Sequence, residues 1–172
     1  MTRKSERAEI SRAAMRLTGR AAAAPLIGVT DAQRMPDPEQ ALAALPRGSA
    51  LIWRGYNEAP DATRLRRISA KAKSKDCVVL IAGAPHLSRR LGTQGLHLPE
   101  RMLTRRHENG DLLSLHGLPP GLIVPAACHS EKAVHAAARA GANSVLISPD
   151  FPTASHSGDA ALGLRRFTHR AH

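Results

Sequence analysis

The chain has 172 residues, 42% of them hydrophobic, which is enough for one domain with a real core. Its formal net charge of +11 invites a nucleic-acid reading, yet aromatics at 2% leave few rings on which bases could stack, and anionic small ligands or general stickiness to polyanions explain the charge as well. No apolar run is long enough to cross a bilayer, Arg12, Arg16 and Arg20 interrupt the one N-terminal stretch that could act as a signal's apolar region, and Cys77 and Cys128 are poorly placed for a disulfide, so a reduced, cytoplasmic protein is expected.

Residues 1–22 carry Ile10, Ala13, Ala14 and Leu17 at helical spacing among charges, which predicts a basic amphipathic N-terminal helix. Residues 23–172 are predicted to form the α/β domain. Residues 25–31 read as its first strand, with Asp31 at the carboxyl end, and a short helix follows between Pro38 and Leu45, stopped by Pro46 and Gly48. Residues 49–55 read as a second strand with Arg54 near its end. A guanidinium can bind two phosphate oxygens at once, although a surface arginine is equally at home in so basic a chain. Residues 61–75 predict a helix with Leu65, Ile68 and Ala72 on one face; Arg64, Arg66, Arg67, Lys71, Lys73 and Lys75 lie elsewhere and suit a solvated surface.

A continuous apolar run at 77–83 has the character of a buried strand in a parallel sheet. A short fourth strand at 95–98 carries His97, a helix runs through Leu103, and residues 111–116 are ambiguous between helix end and strand. Residues 122–128 form a fifth strand, followed by a helix with Ser130 as N-cap, Glu131 in the first turn, an apolar face at Val134, Ala137 and Ala138, and Gly141 as its stop. A short buried strand at 145–147 comes next, led in by Ser144. The loop after it offers Ser148, Thr153, Ser155 and His156 at the carboxyl end of a strand, where α/β folds place their sites. An ordinary loop, polar because it is wet, would look the same.

The segments CHS (128–130), AARAGA (137–142), SP (148–149), FPT with SH (151–156) and ALG (161–163) together resemble the thiamine phosphate synthase and TenI family. The resemblance implies an α/β, parallel, TIM-barrel-like fold, with about six βα units visible and strands 7 and 8 missing. It implies the family reaction, joining hydroxymethylpyrimidine diphosphate to thiazole phosphate with magnesium present, and hence a small phosphorylated heterocycle as partner. Carried onto this chain, it places Asp31, Arg54, His97, Ser130, Thr153, Ser155 and His156 as phosphate- or substrate-binding residues.

Several positions depart from the family pattern. In the second strand Gln-x-Arg-x-Lys becomes Ile52, Arg54 and Tyr56; the Asn-Asp closing the third strand becomes Ala82 and Gly83. Gly95, Leu96, His97 and Leu98 keep the fourth-strand pattern, but Pro99 and Glu100 replace Gly-Gln and Met102 stands at the following Asp; Ala127 replaces a fifth-strand Ser and His156 a Lys. Both magnesium carboxylates are thus missing, so no metal ligand and no certain cofactor are assigned. Displacement of diphosphate would have to proceed without that charge neutralisation.

In TenI-like members a Ser-x-His-Ser segment holds the acid/base for tautomerising thiazole carboxylate phosphate, and here Ala127, Cys128, His129 and Ser130 stand in its place. His129 is therefore the catalytic candidate, its imidazole suited to proton transfer near neutral pH; a purely structural hydrogen bond would suit the same position. A catalytically silent phosphate-ligand-binding protein is the further alternative. His97, His129 and His156 follow three consecutive strands and could converge on a metal. A part-rolled sheet would leave its first and last strands open, so homo-oligomerisation is expected.

Overall fold

The computed structural model describes residues 26–55, 61–83, 93–104, 115 and 121–148. The expected N-terminal helix, Tyr56, Thr153, Ser155 and His156 lie outside these residues, as does the ambiguous 111–116 segment apart from Leu115. The chain divides into two compact units, residues 1–96 and 97–172.

In the first unit β1 (Ile27–Val29), α1 (Pro38–Ala44), β2 (Ala50–Trp53), α2 (Ala62–Ser74) and β3 (Val78–Ala82) alternate, and the sheet order runs β1-β2-β3-β4, with β4 (Gly95–His97) spanning the unit boundary. β1 pairs parallel with β2, and β2 with β3, so Ile52 lies opposite Val29 on one side and Leu80 on the other. Leu51, Trp53, Val79 and Ile81 alternate onto one face and pack with Ala41, Leu42, Leu65, Ile68 and Ala72 of α1 and α2. The intervening Ala50, Ile52 and Leu80 are also buried. Burial on both faces explains why these strands read as unbroken apolar runs rather than as an alternation.

The two helices begin where their caps dictate. The Asp37 side chain accepts from the Glu39 N–H with Pro38 in the first turn, and Asp61 accepts from the N–H groups of Thr63 and Arg64. Leu65, Ile68 and Ala72 form the buried face of α2, as their spacing predicts. Part of the basic surface of α2 is tied down: Arg64 pairs with Asp37 at 3.3 Å and stacks over the Trp53 ring at 5.6 Å, Arg67 pairs with Glu39, and Lys75 Nζ donates to the last carbonyls of α1, Leu42 and Ala43, at 2.9 Å each. Gly28 allows a close approach, because a Cβ there would lie 3.0 Å from Leu45 Cδ2 and that side chain would have to give way.

In the second unit Leu98 bridges parallel to Ala126, α3 (Glu100–Thr104) follows, and β5 (Pro125–Cys128) pairs parallel with β6 (Ser144–Ile147) across α4 (Glu131–Ala140). Ser130 caps α4 through its Oγ, which accepts from the Ala133 N–H at 3.1 Å; Gly141, at φ 94°, ends it in the left-handed region. Two expectations are corrected here. The buried face of α4 is Ala133, Ala136, Ala137 and Ala140, whereas Ala138 is exposed and Val134 half-buried. Weighting the face by its largest apolar side chain turned it the wrong way: alanines let the helix backbone lie close against the strands, and a stripe at i, i+3, i+4 and i+7 does this where a bulkier residue would hold the helix off. The sixth strand is half-buried rather than buried, and Val145 is 38% exposed. Among the described residues β6 has one strand partner, β5, so one edge lacks a neighbour. No helix among the described residues is long and apolar enough to cross a membrane.

Candidate functional site

The carboxyl ends of β5 and β6 and the start of α3 bring four side chains of the second unit together: Glu100, His129, Ser130 and Ser148. The β5 ladder sets the spacing, because the Ser148 N–H donates to the Cys128 carbonyl at 3.2 Å, leaving His129 and Ser148 as the first residues beyond the paired strands. His129 Nδ1 then lies 2.6 Å from the Ser148 carbonyl oxygen and 3.3 Å from its Oγ. A carbonyl can only accept, so Nδ1 carries a proton, and in the neutral ring the lone pair is on Nε2. That is the tautomer a general base needs, fixed by the backbone itself.

Glu100 holds the other side of the turn. The His129 N–H donates to its Oε2 at 2.6 Å and the Ser130 hydroxyl donates to its Oε1 at 3.2 Å, while the same Ser130 Oγ accepts from Ala133. The chain from carboxylate to N-cap to helix is complete, and Ser130's single proton is spent on Glu100. Cys128, fully buried at the end of β5, has its thiol pushed up to about 11, first by burial and then by the charge of Glu100. It is a neutral thiol, not a nucleophile.

His97 lies on β4, the strand expected to carry it, and is its last residue. It is 2% exposed, and its Nδ1 lies 3.1 Å from the carbonyl of Pro125, the first residue of β5, so its ring is a strut between neighbouring strands, a strand's length from His129. Among the described residues no group of three His, Cys, Asp or Glu could hold a metal; His156, the third histidine of the expected cluster, lies outside them.

In the first unit, Asp31 and Arg54 do stand at the carboxyl ends of β1 and β2. Asp31 folds back on its own turn: Oδ1 accepts from the N–H of Arg34 at 2.9 Å and of Gln33 at 3.1 Å. These two bonds, with the charges of Arg34 and Arg54 adding to them, hold the carboxyl below its usual range. The Arg54 side chain is exposed, and its backbone N–H donates to Thr30 Oγ1 at 2.8 Å. Thr30 is 2% exposed and also gives its N–H to the Ile52 carbonyl, so this one residue joins the ends of both strands.

Among the described residues, those at the family's two magnesium positions do not fit the ion. Gly83, at φ 71°, has no side-chain oxygen and Met102 offers only a soft thioether, while the carboxylates of Asp31 and Glu100 are engaged by protein donors. Sequence reading missed Glu100 and Thr30. The available signals were an acidic residue two positions before the lost Asp, and the Thr of the Thr-Asp that closes the first strand.

The sequence profile of the thiamine monophosphate synthase family, which includes TenI, matches residues 26–172. Among solved structures, the chain is similar to a thiamine phosphate pyrophosphorylase from Pyrococcus furiosus, with 18% identity and a TM-score of 0.57 over 84% of this chain and 67% of that one. At that identity the likeness establishes the fold: a parallel sheet alternating with helices. No curated protein matches the chain.

Proposed function

Because the chain belongs to the thiamine monophosphate synthase family of thiamine biosynthesis, we propose that it acts on the family's phosphorylated heterocycles by proton transfer through His129, in the manner of the TenI branch, and not by metal-dependent condensation. The observation that supports this is the 2.6 Å contact between His129 Nδ1 and the Ser148 carbonyl. A tautomerisation removes a proton from one ligand atom and returns one to another, with no net change in composition. One imidazole can do both, provided its tautomer and direction are held fixed. The condensation is disfavoured because Gly83 and Met102 leave the diphosphate without the carboxylate-bound cation that would neutralise it.

Phosphate recognition is proposed for Thr153, Ser155 and His156 after β6 and, separately, for Arg54 after β2. Arg54→Ala is expected to weaken binding of thiazole phosphate by roughly 1.5–3 kcal/mol, the worth of a charge-assisted bond, as read by calorimetric titration. The decisive experiment follows thiazole carboxylate phosphate by NMR in deuterated buffer. Wild-type protein should interconvert its tautomers, and His129→Asn should slow this by about 100-fold or more with ligand affinity nearly unchanged. An equal rate in the variant removes His129 from the chemistry. Formation of thiamine phosphate from both substrates with magnesium, at on the order of 1 per second, would restore the synthase reading instead.

A further inference from the structure

We propose that Glu100 is a specificity-determining residue: its carboxylate occupies the donor pair at the start of α4, so that the end of β5 receives an uncharged or cationic part of a ligand and turns its phosphate away. In a family whose ligands carry phosphates, the first turn of a ten-residue helix following a strand would ordinarily attract one. Here three of the donors at this turn are already engaged. The His129 N–H and the Ser130 O–H both reach Glu100, at 2.6 and 3.2 Å, and the Ala133 N–H is taken by Ser130 Oγ at 3.1 Å. A phosphate entering this position would have to displace a carboxylate and then lie beside it, like charge against like. Glu131, in the first turn of α4, adds a second negative charge at the same helix end.

The arrangement comes from the fold. Glu100 opens α3, reached through Leu98, whose N–H donates to the Pro125 carbonyl at 3.0 Å and whose carbonyl accepts from Ala127 at 2.8 Å. The half-buried carboxylate is thus delivered to the far end of β5 by strand pairing two residues earlier. In the family pattern this position is a Gln, which is uncharged; the substitution in this chain converts a neutral side chain into an anion facing two donors.

The consequence for a phosphorylated heterocycle is its orientation. The ring and any cationic nitrogen lie toward Glu100 and His129, and the phosphate is bound elsewhere. The proposal does not depend on His129 performing chemistry, and its test involves no turnover. Inorganic phosphate is titrated into the full-length, isotope-labelled protein, and the amide signals of His129 and Ser130 are followed in wild type, Glu100→Ala and Glu100→Gln. Wild type is expected to show no saturable shift at these two amides at concentrations that saturate Glu100→Ala, with an apparent Kd at least about tenfold lower in that variant. Glu100→Gln keeps the shape and removes the charge, so it should also gain affinity, and it carries the test if the alanine variant does not fold. Equal phosphate affinity at these amides in wild type and the folded variants, or no binding in either variant, overturns the proposal. Loss of the tautomerase reading would leave this result untouched.

Discussion

Cys128 shows how far burial moves a group's chemistry. Burial, with Glu100 adding to it, lifts the thiol from 9.0 to about 11, which leaves it protonated throughout the physiological range. At pH 8 its thiolate population should be about 100-fold lower than that of a free thiol, and burial slows access further, so iodoacetamide should label it only as pH approaches 11. The sign for stability follows from the same shift. The folded thiol holds its proton more tightly than the unfolded one, so this contribution is complete below pH 9.0 and is lost as pH rises toward about 11. Thermal unfolding from pH 8 to pH 10.5 should show a decline that Cys128→Ala reduces. Fast labelling at pH 8, or an identical decline in the alanine variant, would contradict this account.

The packing of α4 can be tested from its two sides. Ala137 is fully buried against the strands, so Ala137→Leu inserts three carbons where there is no room and should cost about 1–3 kcal/mol in denaturant unfolding. Val134 is half-buried, and Val134→Ala loses some apolar contact while gaining helix propensity, so its effect should stay below about 1 kcal/mol. If the order of the two effects were reversed, the buried face would be the one expected from residue size. Gly141 at φ 94° accounts for the abrupt end of the helix and for the Ala142 N–H reaching back to the Ala137 carbonyl at 3.0 Å.

Among the described residues β1 is an edge strand of the four-stranded sheet and β6 of the two-stranded one, and each carries one of the two large exposed apolar side chains, Val29 at 39% and Val145 at 38%. Outer strands with apolar side chains in contact with water favour association. Sedimentation at on the order of tens of micromolar should therefore give a mean mass above that of one chain, and Val145→Lys should lower it by placing a charge on the outer strand. A single species of monomer mass in both proteins would show that these strands are covered.

Much of this architecture was legible in local signals. Asp61 and Ser130 initiate helices because their side chains accept from backbone N–H groups two or three residues on, and Gly141 ends one because it can adopt a positive φ; each is a property of a few consecutive residues. The apolar runs that became β2 and β3, and the periodic face of α2, were equally local. His129 was placed at the end of a strand by the same reasoning, together with its resemblance to a family motif. The partners of these residues could not be read in this way. Glu100 meets the His129 N–H across 29 positions and His97 meets Pro125 across 28, so those contacts exist only once strand pairing has brought distant segments into register. The burial of α4 on its alanines and the exposure of Val145 also depend on neighbours, since a side chain's surroundings are set by which surfaces pack. Local hydrogen-bonding and steric preferences determined where elements begin and end, while long-range packing decided that a carboxylate, and not an open donor pair, faces the candidate histidine's turn.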